Sequence, residues 1–126
     1  MQLTFIIFIG IGGFLGAISR FLISAEVVRV FGESLPYGTL AVNIIGSFII
    51  GFLAIYFEQH LNPEYRALFI TGFLGALTTF SSFSLETTLL IEQHLYIKAA
   101  LHIFLNVSLT ISATIFGMML YRRYIY

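Results

Sequence analysis

Four long apolar runs constrain the fold of this chain more than any other feature of its sequence. They cover about residues 3–23, 39–57, 66–91 and 98–121. Each approaches or exceeds the length of about 20 residues that a helix needs to cross a bilayer. The chain is 59% hydrophobic and 10% charged, whereas a soluble domain carries roughly 25% charged residues. The sequence therefore predicts an all-α integral membrane protein, with four transmembrane helices in a single domain over residues 1–126.

The composition also argues against several classes of function. Formal net charge is zero, so nothing favours a nucleic acid partner. Cysteine is absent, which rules out disulfides and thiolate metal sites. No serine–histidine–acid set, pair of carboxylates or phosphate-binding glycine loop can be assembled from the sequence. The apolar N-terminus lacks a basic region and a cleavage site, which indicates a first membrane helix rather than a removable signal. We predict that the protein is not an enzyme and that it is embedded in a lipid bilayer.

Basic residues are divided evenly between the two predicted sides of the membrane. Because an excess of lysine and arginine fixes which side of a membrane protein faces the cytoplasm, an even division gives no preferred orientation. A chain without a preferred orientation can insert into the membrane both ways round. In addition, four helices are few to enclose a polar path, which favours a second subunit. The sequence therefore predicts an antiparallel homodimer. The residues counted are Arg66, Arg122 and Arg123 on one side, and Arg20, Arg29 and Lys98 on the other.

The third apolar run contains a polar segment, GFLGALTTFSSFS, at residues 72–84. Lipid cannot hydrogen-bond a freed backbone group, so a disturbed helix at this depth must face protein or a water-filled path. Gly75 can supply a break near the middle of this helix. Phe80 and Phe83 are three apart and share a helix face among hydroxyl groups. Their ring edges are positive, so the segment is predicted to line a path for a small anion at a subunit interface.

Three other polar residues at membrane depth each have two interpretations. Asn43 is either an interhelical hydrogen-bonding residue or a donor that lines a pore. Arg20 is either a lipid-headgroup anchor or a cation that draws anions into a vestibule. Glu86 is either a functional intramembrane acid or a side chain that reaches water from the helix end.

The fourth helix carries a polar stripe at four-residue spacing, which indicates a hydrated face or an intersubunit contact. Small residues recur at the same spacing elsewhere, which is typical of closely packed membrane helices. The polar stripe consists of His102, Asn106, Thr110 and Thr114, and the small pairs are Gly12 with Gly16, Gly13 with Ala17, Ser47 with Gly51, and Gly72 with Ala76.

Three motifs occur in order along the chain: GGFLGAISR at residues 12–20, PYGTLAVN at 36–43, and GFLGALTTFSSFS at 72–84. Together with four helices and this chain length, they resemble the CrcB or Fluc family of small fluoride channels. The resemblance covers essentially the whole chain. One departure is Ser82, where the family more often carries threonine, and serine keeps the hydroxyl group.

The resemblance implies an antiparallel, dual-topology homodimer with two fluoride pores in a prokaryotic cytoplasmic (inner) membrane. Such a channel exports fluoride passively and lowers its toxicity. Fluoride as the permeant ion is implied by the resemblance alone, since the composition would allow another small ion.

The resemblance also implies roles for particular residues. Phe80 and Phe83 would contact fluoride, with the amide of Asn43 beside them. Arg20 would lie by the aqueous vestibule, and a track of hydroxyl groups would accompany the ion. The track would comprise Ser81, Ser82 and Ser84, and the backbone carbonyls of Gly75 and Thr78 would hold one structural sodium ion on the two-fold axis.

Two other function classes compete with a fluoride channel. A small dual-topology exporter of cationic compounds would need a carboxylate in the first helix to exchange protons for cations, and that helix has none before Glu26. A purely structural membrane protein would leave the polar stripes without a use. The sequence therefore favours the channel.

Overall fold

The structure, a computed structural model, describes residues 2–125. Over that range the chain forms six α-helices and one π-helix, and four helical segments are long and apolar enough to cross a membrane. The predicted all-helical fold with four spans is confirmed. The elements are α1 (Gln2–Phe31), α2 (Tyr37–Gln59), α3 (Pro63–Arg66), the π-helix (Ala67–Leu74), α4 (Gly75–Leu77), α5 (Phe80–Glu92) and α6 (Tyr96–Tyr124).

The third span is the segment Pro63–Glu92, which contains α3, the π-helix, α4 and α5. Asn62 caps its first turn, because the Asn62 side chain accepts a hydrogen bond from the Tyr65 N–H at 3.3 Å. Pro63 occupies the first turn of the helix, where its missing N–H costs nothing. The third span therefore starts a few residues earlier than the apolar run predicts.

Helix α1 is also longer than predicted, since it continues to Phe31 through the expected connection. No glycine or proline interrupts the chain there until Gly32, and Arg29 pairs with Glu26 on the last turn. Gly32 has φ of 85°, a left-handed conformation that glycine adopts at helix ends without steric cost. The end of α1 is thus set by Gly32 rather than by the first charged residues.

Close helix pairs organise the packing, and small residues make them possible. Helix α2 packs most extensively against α6, and α1 packs against the π-helix. Gly51 of α2 faces the carbonyl oxygen of Thr114 so closely that a Cβ atom would overlap it. Gly117 of α6 faces the carbonyl oxygen of Phe48 in the same way. The two contacts are reciprocal, which allows the backbones of α2 and α6 to approach each other.

The first span uses the same device against the third. Cβ atoms at Gly12 and Gly16 would overlap the carbonyl oxygens of Leu68 and Phe73, respectively. Both glycines are buried. The predicted packing role of this pair is therefore confirmed.

The interior is small and the outer surface is apolar. Val42, Leu74 and Leu77 form a buried cluster. Large apolar side chains on the outside of the spans are exposed, among them Phe21 at 72% and Phe104 at 65%. A single subunit with this surface needs lipid or another protein around its spans.

We expect Gly51→Ala to destabilise the folded subunit by about 1–3 kcal/mol, the usual cost of overpacking a tight contact. The change adds one methyl group where the carbonyl of Thr114 leaves no room. Thermal unfolding in detergent, followed by circular dichroism, measures the effect. Gly10→Ala is the matched control, because a Cβ atom at Gly10 meets nothing within 4 Å. Equal midpoints for both variants would contradict the close packing of α2 on α6.

Candidate functional site at the break in the third span

The third span is interrupted at Thr78 and Thr79. Thr78 has ψ of 155° and Thr79 has φ of −148° and ψ of 115°, both extended. Thr79 then caps α5, since its hydroxyl oxygen accepts a hydrogen bond from the Ser82 N–H at 3.1 Å. Gly75 does not make the break: it has φ of −61° and ψ of −32°, which is helical. The predicted break is confirmed, but it lies three residues beyond Gly75.

Asn43 of α2 satisfies the backbone that this break exposes. The Thr79 N–H donates to Asn43 Oδ1 at 2.8 Å, and Asn43 Nδ2 donates to the Thr79 carbonyl oxygen at 3.2 Å. An unsatisfied backbone group at membrane depth would be costly. Asn43 therefore makes the interhelical hydrogen bonds that one of its two interpretations predicts.

A surface cleft of approximately 370 Å³ lies beside the break. It is lined by α2, the third span and α6, and it brings together five of the predicted site residues. Asn43 is therefore both a hydrogen-bonding residue and a cleft residue. The predicted residues in the lining are Asn43, Gly75, Thr78, Phe80 and Phe83, and they are joined by Gly46, Ser47, Thr79, Asn106 and Thr110 among others.

The two phenylalanine rings stand next to each other at this cleft. Their centroids are 5.3 Å apart with an interplanar angle of 55°. Phe83 is half-buried, whereas Phe80 is 79% exposed in the single subunit. The two rings thus form an apolar part of a lining that also contains polar side chains of α2 and α6, and the Phe80 part of it is exposed.

The structure does not bring every predicted site residue to the cleft. Ser81 and Ser84 are exposed on α5, and Ser81 Oγ lies 3.4 Å from Thr79 Oγ1. Ser82 is half-buried and takes part in the cap through its N–H. Arg20 is half-buried on α1. None of these four lines the cleft, so the hydroxyl track and the vestibule stay predictions.

Two residues of the α6 polar stripe, His102 and Asn106, are buried within the subunit. His102 and Asn106 are 1% and 5% exposed. Asn106 Oδ1 accepts from Asn43 Nδ2 at 3.0 Å, and the Thr114 hydroxyl donates to the Ser47 carbonyl oxygen at 3.1 Å. These hydrogen bonds join α6 to α2 within the subunit, while Asn106 and Thr110 also line the open cleft. The expected hydrated or intersubunit face therefore stays a prediction.

Glu86 joins the same network. Its Oε1 accepts from the Thr39 hydroxyl at 2.6 Å, and its Oε2 lies 3.3 Å from His102 Nε2. The Glu86 side chain is 29% exposed. The Glu86 carboxylate therefore contacts both α2 and α6 within the subunit. It is not a side chain that extends only into water.

Two residues of this site escaped the sequence analysis. The capping role of Thr79 had a local signal, because a threonine followed by a helical run is typical of a helix N-terminus. The contact of Thr39 with Glu86 joins residues 47 positions apart, and no local pattern in the sequence indicates it.

Two backbone carbonyls at the break lose the donors that a continuing helix would supply. In an α-helix each N–H bonds the carbonyl four residues earlier. The Thr79 N–H goes to Asn43 instead of Gly75, and the Ser82 N–H goes to the Thr79 hydroxyl instead of Thr78. Carbonyl oxygens are suitable ligands for hard cations. Within residues 2–125 no group of three or more His, Asp or Glu could hold a metal ion.

Comparisons with known proteins show which family this chain resembles over its length. The model of a family described as "CrcB-like protein, Camphor Resistance (CrcB)" matches residues 7–118. A fluoride-specific ion channel FluC of Nitratiruptor sp. is 58% identical over 123 residues, which are 98% of this chain and 96% of that protein. Proteins of the same name from Sulfurovum sp. and Vibrio parahaemolyticus are 54% and 47% identical, with 98% and 97% of this chain and 98% of each relative covered.

The named relatives are ion channels, not enzymes, and the four apolar spans make the chain an integral, multi-pass membrane protein. The family match covers more than half of the chain and all three motifs. The chain therefore belongs to the CrcB family.

Proposed function

We propose that this protein is a fluoride-selective channel that passively exports fluoride across a prokaryotic cytoplasmic membrane and so lowers its toxicity. The observation that carries the proposal is the cleft, where Phe80 and Phe83 face the polar groups of the break. The names of the relatives support fluoride as the permeant ion. Fluoride efflux from liposomes that contain the purified protein tests the proposal, and a folded protein that passes no fluoride would contradict it.

The cleft suits weak binding of a small anion. The ring edges of Phe80 and Phe83 are positive and hold no full charge, so they can attract fluoride without trapping it, as conduction requires. Both amide hydrogens of Asn43 are engaged, one with Thr79 and one with Asn106. A direct contact between Asn43 and fluoride therefore exchanges one of these hydrogen bonds for the ion.

A second, antiparallel subunit would close the cleft. Gly75 and Phe80 line it and are exposed in the single subunit, so the site opens onto a surface that needs a covering. The even division of basic residues supports an antiparallel arrangement. Two equivalent clefts would then give two pores, one for each subunit.

Dual topology predicts that tags fused to the C-terminus become accessible on both faces of the membrane, in similar amounts. Impermeant labelling of intact and permeabilised cells measures the two populations. Adding basic residues after Arg123 should shift the balance towards one face, because the native charge count is even. Labelling confined to one face in the native protein would rule out the antiparallel dimer.

The carbonyls of Gly75 and Thr78 would hold one structural sodium ion where the two subunits meet. A Cβ atom at Gly75 meets only the Ile70 carbonyl oxygen, at 3.8 Å. We therefore expect Gly75→Val to fold as a subunit but to lose dimer stability, because the added side chain projects from an exposed position. Subunit assembly in sodium and in potassium, followed by size-exclusion chromatography, measures this effect. Equal dimer stability in both salts, for the native protein and the variant, would remove sodium from the account.

A further inference from the structure

The hydrogen bonds between the break and Glu86 form one chain whose direction is fixed at its start. The Thr79 N–H is a backbone group and can only donate, and its acceptor is Asn43 Oδ1 at 2.8 Å. The other end of that amide, Nδ2, must then donate, and it does so to Asn106 Oδ1 at 3.0 Å. The amide orientation of Asn106 follows in turn, with its Nδ2 group directed at His102.

This direction determines the protonation of the His102 ring. Asn106 Nδ2 donates to His102 Nδ1 at 3.1 Å, and its second hydrogen goes to the His102 carbonyl oxygen at 2.9 Å. Since Nδ1 accepts, a neutral ring carries its proton on Nε2. Nε2 faces Glu86 Oε2 at 3.3 Å. Both atoms are buried, and neither makes a hydrogen bond among the described residues, so the 3.3 Å contact pairs a ring N–H with a carboxylate oxygen that otherwise has no partner.

The Glu86 carboxylate lies next to the cleft but does not line it. Glu86 is one helical turn beyond Phe83, and the His102 ring is 5.2 Å from the Phe83 ring. The carboxylate is held on one side by the Thr39 hydroxyl and on the other by His102. On α6 the basic residue next in sequence is Lys98, four residues before His102, while α2 presents the uncharged Thr39 and Asn43.

We propose that His102 is a positioning residue for fluoride conduction: as the neutral Nε2–H form, it holds the Glu86 carboxylate against α2 and α6 and outside the cleft. The inference rests on the proposed function. Without this contact the carboxylate keeps one donor, Thr39, and can turn towards Phe83. A negative charge at that position repels an arriving anion.

The test compares fluoride efflux from liposomes for His102→Gln and His102→Leu, above the leak of protein-free vesicles. Glutamine can still donate to Glu86, whereas leucine cannot. Near neutral pH we expect the leucine variant to be slower than the glutamine variant by about tenfold or more, because like charges several ångströms apart repel by more than the roughly 1.4 kcal/mol that a factor of ten represents.

The same comparison in a Glu86→Gln background isolates the pair. There the leucine substitution should have little further effect, since no charge remains to be held. Equal rates for the glutamine and leucine variants near neutral pH, or an equal loss in the Glu86→Gln background, would overturn the inference. No fluoride efflux from the native protein would instead contradict the proposed function, so the two failures are distinguishable.

Nitrogen-15 NMR of histidine-labelled protein tests the ring directly and does not depend on folding of the leucine variant or on transport. The three histidines are His60, His94 and His102, and single substitutions of the two exposed ones assign the third. A His102 spectrum with the proton on Nε2 agrees with the chain of hydrogen bonds. A proton on Nδ1 in the neutral ring would reverse the direction of the chain and overturn the inference.

Discussion

Replacing Phe83 or Phe80 with isoleucine is expected to lower fluoride efflux by roughly tenfold for each ring, which corresponds to about 1.4 kcal/mol of lost interaction along the ion path. Isoleucine keeps the apolar volume but removes the positive ring edge. Phe80 is 79% exposed in the subunit, so its replacement costs little of the subunit's own packing. A loss of efflux in Phe80→Ile therefore reports on the ion path rather than on folding.

The matched control is Phe21→Ile, because Phe21 is 72% exposed on α1 and does not line the cleft. All three variants should remain dimeric on size-exclusion chromatography, and efflux from the control should match the native protein. Native rates for both Phe80→Ile and Phe83→Ile would remove the rings from the mechanism.

Asn43→Leu is expected to have the second large effect, on both stability and conduction. The substitution leaves the N–H and carbonyl groups of Thr79 without their partner, and each unsatisfied buried group costs about 1–3 kcal/mol. It also removes the donor to Asn106. We expect a lower midpoint of thermal unfolding, and fluoride efflux reduced by on the order of 100-fold, because the break and the cleft share these groups.

Asn62→Leu is the control for that variant. Asn62 also accepts a hydrogen bond from a backbone N–H, that of Tyr65, but it lies in a loop where water can replace it. It should cost about 1 kcal/mol, as the loss of a helix cap does, and leave fluoride efflux unchanged. Equal effects of the two substitutions on efflux would show that Asn43 has no special role at the break.

The sequence predicts the spans and the region of the site because both depend on local patterns. In lipid, an apolar run as long as α2 can satisfy its backbone N–H and C=O groups only by forming a helix. Gly12 and Gly16 of α1 occur at the spacing that close packing requires, and the structure buries both, as it does Gly51 of α2. Phe80 and Phe83 share a face because they are three apart on one helix, and the cleft contains both.

The position of the break shows where local patterns stop. Gly75 is the residue of the segment best able to disturb a helix, yet it is helical. The break occurs where Asn43, from a different helix, offers both a donor and an acceptor to Thr79. Asn43, 36 residues away in the chain, therefore determines which peptide leaves the helix. The conformational freedom of Gly75 does not determine it.

The α6 stripe illustrates the same limit for polar side chains. Four-residue spacing places His102 and Asn106 on one face, but it does not say what that face contacts. The structure turns Asn106 towards α2, where it pairs with Asn43, while His102 pairs with Asn106 on α6 itself. The π-helix over Ala67–Leu74 is a further feature that no pattern in the sequence predicts.

The most direct test of the account is ion efflux from liposomes that contain the purified protein, read with fluoride-selective and chloride-selective electrodes. A potassium ionophore supplies the balancing charge. We predict rapid fluoride efflux that depends on the ionophore, with little chloride efflux under the same conditions, because a selective channel moves fluoride as a net charge. Fluoride efflux no faster than that of protein-free vesicles, from protein shown to be folded and dimeric, would contradict the central claim.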